Sequence, residues 1–230
     1  MSENFRFEPS LFKYLRDLKK HNERPWFKAN KGRYEDELRG PMLRFIEAFA
    51  PHLENISEHF VADARPVGGS LFRIHRDTRF AKDKTPYKTH AGAHFRHARA
   101  KDVHAPGFYL HMEPGNVFMG AGIWHPDNKT LGKIRDAIIA DPKRWKRLTA
   151  AKALSSAGCA LVGDSLKRPP RGYDPEHPLI EDLKRKDFIL ATDSDEADAL
   201  APDFIKRFAK FCNTAAPISE FLTRALDLEW

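Results

Sequence analysis

The sequence predicts an α+β protein: an antiparallel sheet of about four or more strands, with helices packed on one face and at the N- and C-terminal ends. Two observations predict it. The apolar residues recur at helical spacing early and late in the chain but at a period of two in the middle. The order is also blockwise, helical over 8–60, sheet over 67–124 and helical over 128–230, all within one domain spanning 1–230.

Leu11, Phe12, Leu15 and Leu18 form the first helical stripe, with Pro9 as an early helical residue and a stop near His21-Asn22. Asn22 reads as the cap of the next helix, with Pro25 in its first turn and Trp26, Phe27, Tyr34 and Leu38 towards the core. Gly40-Pro41 breaks the pattern, and Met42, Phe45, Ile46 and Phe49 start a third helix. The period then changes. "SLFRIHR" (70–76), "HAGAHFRH" (90–97), "GFYLHME" (107–113) and "NVFMGAGIW" (116–124) alternate as half-buried strands do. "EPGN" reads as the hairpin turn joining the last two. Beyond Pro126 the apolar spacing is helical again, interrupted by the proline-rich loop "KRPPRGYDPEHP" (167–178).

If the apolar sets face the helices, period two assigns the other face: Leu71, Arg73 and His75; His90, Gly92, His94 and Arg96; Tyr109, His111 and Glu113; Phe118, Gly120, Gly122 and Trp124. That face is cationic and titratable, and its glycines leave room for something to approach the backbone. His90, His94, His111 and Glu113 have donor types that suit zinc or iron. They show no tight ligand spacing, so no metal is assigned and the quartet is kept as the weaker alternative.

The net charge of +7 is local. From Arg65 to Lys101 there are ten Lys/Arg against Asp77 and Asp83, a surplus of +8, so the rest of the chain sums to −1. The surplus is concentrated in "RIHRDTRFAKDKTPYK" (73–88). There Arg73, Arg76 and Arg79 recur every third residue, Asp77 stands ready to orient one of them, and Phe80 reads as a hydrophobic pin. The planar guanidinium fork is the group for bidentate carboxylate or phosphate recognition. Arg73, Arg76, Arg79, Lys84, Tyr87, Lys88, Arg96 and Tyr109 are therefore the candidate ligand-binding residues, and Asp77, His94 and His111 the candidates for proton transfer. An Arg–Asp network that only fixes the loop is the competing reading. A second cationic piece, Lys167, Arg168 and Arg171, sits on the proline-rich loop.

No phosphate-binding Gly loop, dinucleotide fingerprint, zinc-protease helix or nucleophile elbow is present, and no particular cofactor is implied. No run approaches a membrane span, the first residues lack a signal-peptide core, and two distant cysteines read as reduced thiols in the cytoplasm.

The chain resembles the DUF2461 family, mainly bacterial proteins of about this length. The resemblance rests on Arg73, Arg76, Asp77, Arg79, Phe80, Lys84 and Tyr87 of the central motif. It extends to "RPWFKANKGRY", "GFYLHMEPG" with "GAGIW", and "KRPPRGYDPEHP". It implies a shared site over essentially the whole chain and supplies no chemistry. The expectation is a protein that binds a small anionic ligand, with catalysis left open. The alternatives are nucleic-acid binding, with Phe72, Phe80, Tyr87 and Phe95 interleaved among the charges, and an interaction domain in which the motif is structural.

Overall fold

Alternating apolar residues do form the middle of the sheet, as the computed structural model, which describes residues 5–99 and 104–230, shows. Strands β1 (Ala91–Arg96), β2 (Gly107–Glu113) and β3 (Asn116–Ile123) pair antiparallel. β2 and β3 are joined by a two-residue turn at Pro114-Gly115, where Gly115 takes the positive φ of 76° that the second central position of a type II turn requires. The register opposes Phe108 to Ala121, Leu110 to Met119 and Met112 to Val117, which puts both apolar sets on one side.

The sheet has two further strands, β4 (Ala160–Val162) and β5 (Phe188–Ser194), in the order β1-β2-β3-β5-β4. Both fall inside 128–230, so that region is not wholly helical. β5 pairs with β3 from Val117↔Ser194 to Ile123↔Phe188 and makes β3 the centre of an open five-stranded antiparallel sheet. The expected first strand, 70–76, is corrected too. It is an extended edge segment with isolated bridges, Leu71↔Ala93 and His75↔Tyr87, and no continuous ladder. The segment turns over between these bridges. Leu71 and Ile74 pack on the core, while Phe72 and Arg73 point to the opposite face, so the predicted set Leu71, Arg73, His75 is not one face.

Helices cover the apolar face. They are α1 (Ser10–Lys20), α2 (Arg24–Ala29), α3 (Lys31–Arg33), a π-helical stretch (Tyr34–Arg39) and α4 (Gly40–Glu54) before the sheet. α5 (Asn128–Ala140), α6 (Pro142–Thr149) and α7 (Lys152–Ser156) follow β3, α8 (Ile180–Leu183) precedes β5, and α9 (Glu196–Ala199) and α10 (Phe204–Ala225) close the chain. α1 packs against β2, α4 against β1 and α10 against β3. Phe49 is the hub of this packing, with ring centroids 4.8 Å from Phe95 and 4.7 Å from Phe208. Gly40-Pro41 does not interrupt the helical path: Arg39 and Gly40 both keep right-handed helical dihedrals, and α4 follows directly on the π-helical stretch with Pro41 in its first turn.

Asn22 is not a helix cap; Glu23 holds that position for α2. Asn22 instead clamps the backbone of Tyr87, donating from Nδ2 to the Tyr87 carbonyl at 2.9 Å and accepting from the Tyr87 N–H at 3.0 Å. The N-terminal helices thereby hold the end of the basic motif.

Candidate functional site

The sheet face opposite the helices carries His94, Tyr109, His111, Phe118 and Gly120, as period two requires, together with Ile189 and Ala191 of β5. It is not openly solvated: His94 is 8% exposed and His111 7%. A pocket of about 750 Å³ opens on it, within the usual size of a small-molecule site. Its floor is built of small residues, Gly107, Gly120, Gly122 and Ala191, while Phe72, Phe118, Trp124, Val162 and Ile189 supply bulky apolar walls. Arg73, Lys88, His90, His94 and Tyr109 are its polar members.

Three glycines earn their positions by close approach. A Cβ on Gly92 would stand 2.5 Å from the Tyr109 hydroxyl, and one on Gly107 would collide with the His94 ring. Gly122 has φ 124° and lies against the Phe188 carbonyl. Gly120 differs, because a Cβ there would make only ordinary contacts at 3.8 Å with Tyr109 and Ile189. It is a real opening in the floor.

The motif's arginines divide. Arg76 donates to Asp83 at 2.5 Å and also binds the Thr85 side chain; Arg79 is gripped by both oxygens of Asp77, at 3.0 and 2.7 Å. The Arg79 fork holds the Asp77 carboxyl down to about 2, and the Thr85 N–H followed by Arg76 does the same for Asp83. The guanidinium of Arg73 has no ion pair or hydrogen bond to another described residue, and it lines the pocket beside Lys88. Burial, followed by the neighbouring Arg73 charge, lowers the Lys88 ammonium pKa. Lys88 also sits 5.1 Å over the Phe72 ring.

The remaining candidates lie elsewhere. Lys84 donates to the Thr78 carbonyl at 2.9 Å and faces a second, more open cleft with Asn22, Arg24 and Thr85. Tyr87 is buried in the helical core, Arg96 stands off the pocket at the end of β1 near Asp63, and Asp77 is occupied by Arg79. Phe80 is 94% exposed and pins nothing; its ring only meets the Arg79 guanidinium at 5.8 Å. The loop 167–178 contributes no residue to the pocket and docks on α5, where Tyr173 donates to Asp136 at 2.9 Å. Lys101, counted in the basic surplus, lies outside the described residues.

The histidine quartet also divides. Donor atoms of His90, His111 and Glu113 all lie within 4.8 Å of one another. His94, opposite Tyr109, is outside that cluster. Burial lowers His90 to about 4 and His94 to about 4 and raises the Tyr109 phenol, so these groups are neutral near pH 7. The His94 Nδ1 is buried with no hydrogen-bond partner among the described residues.

One arrangement has no signal in the sequence. His125, at a left-handed φ of 47°, points Nδ1 at Asp187 Oδ1, 2.9 Å away, while its N–H donates to the same oxygen at 2.7 Å. Asp187 is 2% exposed and also accepts from the Asp164 N–H at 2.9 Å. His125 stacks on Trp124 at the pocket wall, with ring centroids 4.3 Å apart. Because its partner is 62 residues away, only the β3–β5 pairing brings the two together.

Fold and site together define an α+β protein built on one open antiparallel sheet, with a cation-bearing apolar pocket on the face away from its helices. Residues 10–221 match the family described as "Conserved hypothetical protein (DUF2461)", and the chain belongs to the DUF2461 family. No curated protein matches it. Among the described residues no helix is long and apolar enough to cross a membrane.

Proposed function

We propose that the sheet-face pocket binds a small anionic molecule with an apolar or aromatic body. Its carboxylate or phosphate would be held by Arg73 and Lys88, and its body would rest over Gly120 between Phe72, Phe118 and Trp124. The observation that carries this reading is the position of Arg73. It is the motif arginine whose fork no acid occupies, and, exposed itself, it lines a largely apolar pocket beside Lys88, which burial partly desolvates. Two cations held close in a site of reduced polarity favour an anion between them. Arg76, Arg79, Asp77, Asp83 and Lys84 then serve to shape the loop that presents Arg73, so the motif is structural at its tip and binding at its base. A cytoplasmic setting agrees with two buried cysteines that form no disulfide.

Nucleic-acid binding has less support. Phe95 and Tyr87 are buried in the core, 0% and 5% exposed, and are unavailable for base stacking.

A thermal-shift screen of carboxylates and phosphates bearing aliphatic or aromatic groups tests the reading, followed by titration of the best hit. Arg73→Lys keeps charge but loses the fork, and Arg73→Ala loses both. We expect affinity to fall about 10- to 100-fold in Arg73→Ala, the range for a hydrogen bond to a charged group. Arg171→Ala, on the loop that contributes no residue to the pocket, should bind like wild type. Wild-type affinity in Arg73→Ala would overturn the proposal. Loss in every basic variant alike, with a steep salt dependence, would favour a nucleic-acid groove.

A further inference from the structure

We propose that His90, His111 and Glu113 form a binding site for one divalent transition-metal ion of the zinc or ferrous class, beside the pocket but separate from its cations.

The placement follows from the strands. His111 and Glu113 are two residues apart on β2 and so share a face; His90 enters β1 two residues before Gly92, the residue paired with His111. The His90 and His111 rings lie 4.5 Å apart, and His111 Nε2 is 3.5 Å from Glu113 Oε2. Zinc–nitrogen and zinc–oxygen bonds of about 2.0–2.1 Å at a tetrahedral angle put two donors about 3.4 Å apart; the His111–Glu113 pair already has that spacing, and the trio, within 4.8 Å, would close on the ion by side-chain rotation. Two imidazoles and one carboxylate on one side of an ion are a donor set suited to zinc or non-haem iron.

The second observation is the state of His111. Its Nε2 is buried without a hydrogen-bond partner among the described residues, although it points at a carboxylate. The other ring nitrogen, Nδ1, lies 3.0 Å from the Tyr109 hydroxyl, and Phe118 stacks on the ring at 4.6 Å. In the tautomer whose Nδ1–H donates to Tyr109, the Nε2 lone pair faces Glu113 and a cation between them would satisfy both; in the other, Tyr109 donates to Nδ1 and Nε2–H points at the carboxylate with no need of an ion. A metal-bound histidine commonly donates from its second nitrogen to an oxygen, as in the first tautomer. Glu113 Oε1 accepts from Thr89 Oγ1 at 3.0 Å, which fixes the carboxylate. Lys19, 4.0 Å from the same oxygen, is 62% exposed and free to swing into solvent. His90 belongs to the cluster and to the pocket wall.

The test is titration of the full-length, chelator-treated protein with Co2+ and Zn2+, reading Co2+ visible absorption and calorimetric stoichiometry. We expect one equivalent to bind. Glu113→Gln, which keeps shape, and His90→Gln should each weaken it about 100-fold or more, at or beyond the upper end for loss of an outer-shell partner. His52→Ala, outside the cluster, should leave it unchanged. Melting temperatures of the metal-free variants check that each remains folded. Absence of stoichiometric binding by wild type overturns the site, as does wild-type affinity in folded Glu113→Gln and His90→Gln; the trio is then only a His–Glu hydrogen-bond network. Arg73→Ala should bind Co2+ normally, so the metal and anion proposals fail separately.

Discussion

Tyr87 lies face to face on Phe27, ring centroids 4.1 Å apart and planes 16° from parallel, while its backbone is clamped by Asn22. The last aromatic of the basic motif is thus an anchor in the helical core, away from the pocket lining. Tyr87→Ala should cost about 3–5 kcal/mol, the range for removing a large buried ring, and Tyr87→Phe less than about 1.5. Urea unfolding of the two variants measures the difference. An equal loss in both would mean that the hydroxyl and not the stack supports the loop.

The pocket floor is open at one glycine and closed at another. Gly122→Ala should destabilise by more than about 2 kcal/mol, because a positive φ and the Phe188 carbonyl both oppose a side chain. Gly120→Ala should stay within about 1 kcal/mol of wild type and project a methyl group into the pocket. Melting curves of both, with titration of any identified ligand into Gly120→Ala, check this. Equal destabilisation would show that Gly120 too is needed by the backbone.

His94 makes the fold acid-sensitive. Burial, with a smaller contribution from Arg96 on the same strand, lowers it from 6.5 to about 4; the Tyr109 phenol and the Phe72 ring face it from neighbouring chain segments. The unfolded chain therefore takes up the proton first. The stability due to the neutral ring is whole above about 6.5 and is lost as pH falls through about 4, about 3 kcal/mol in all, of which about 2–3 kcal/mol goes between pH 7.5 and pH 4.5. His94→Gln should reduce the stability difference between pH 7.5 and pH 4.5 by about that amount. Other histidines with lowered values, His90, His97 and His111, set the loss that remains. An unchanged pH difference in the variant would refute the assignment.

Asp187 ties β5 to the end of β3 and to the segment after β4 by accepting from His125 and Asp164. Asp187→Asn places an amide where two or more N–H groups donate, and should cost about 1–3 kcal/mol. Amide exchange at His125 and Asp164 should accelerate more than exchange at the centre of β2. Protection lost evenly across the sheet would mean that Asp187 supports the whole fold and not this corner.

How much of this is legible in the sequence depends on how each face is covered. β1, β2 and β3 alternate visibly because one face meets the helices and the other carries Gly, His and Tyr. β5 does not, since Phe188 and Leu190 meet the core while Ile189 and Ala191 line the pocket; with apolar residues on both sides the period vanishes. β4 has three residues, too few to show any period. The edge segment 70–76 alternates in sequence, but its bridges are isolated and the chain rotates between them, so Phe72 and not Leu71 joins the pocket. In the basic motif, residue types announce a fork for anions. Spacing alone does not say that Asp77 takes Arg79 and Asp83 takes Arg76, leaving Arg73. The histidine cluster follows from period two once the β1–β2 register is known, and single-strand spacing does not supply that register.

β3 sits between two very unequal connections. Its pairing with β2 closes through a two-residue turn, whereas Ile123 and its β5 partner Phe188 are 65 positions apart. Closing the longer loop costs more entropy, and contacts of long sequence separation form slowly. In vectorial synthesis the hairpin is complete well before β5 leaves the ribosome, and only then do Ile189 and Ala191 join the pocket. The cavity therefore depends on the longest-range pairing of the sheet, and it is complete only in a chain whose synthesis has run past β5.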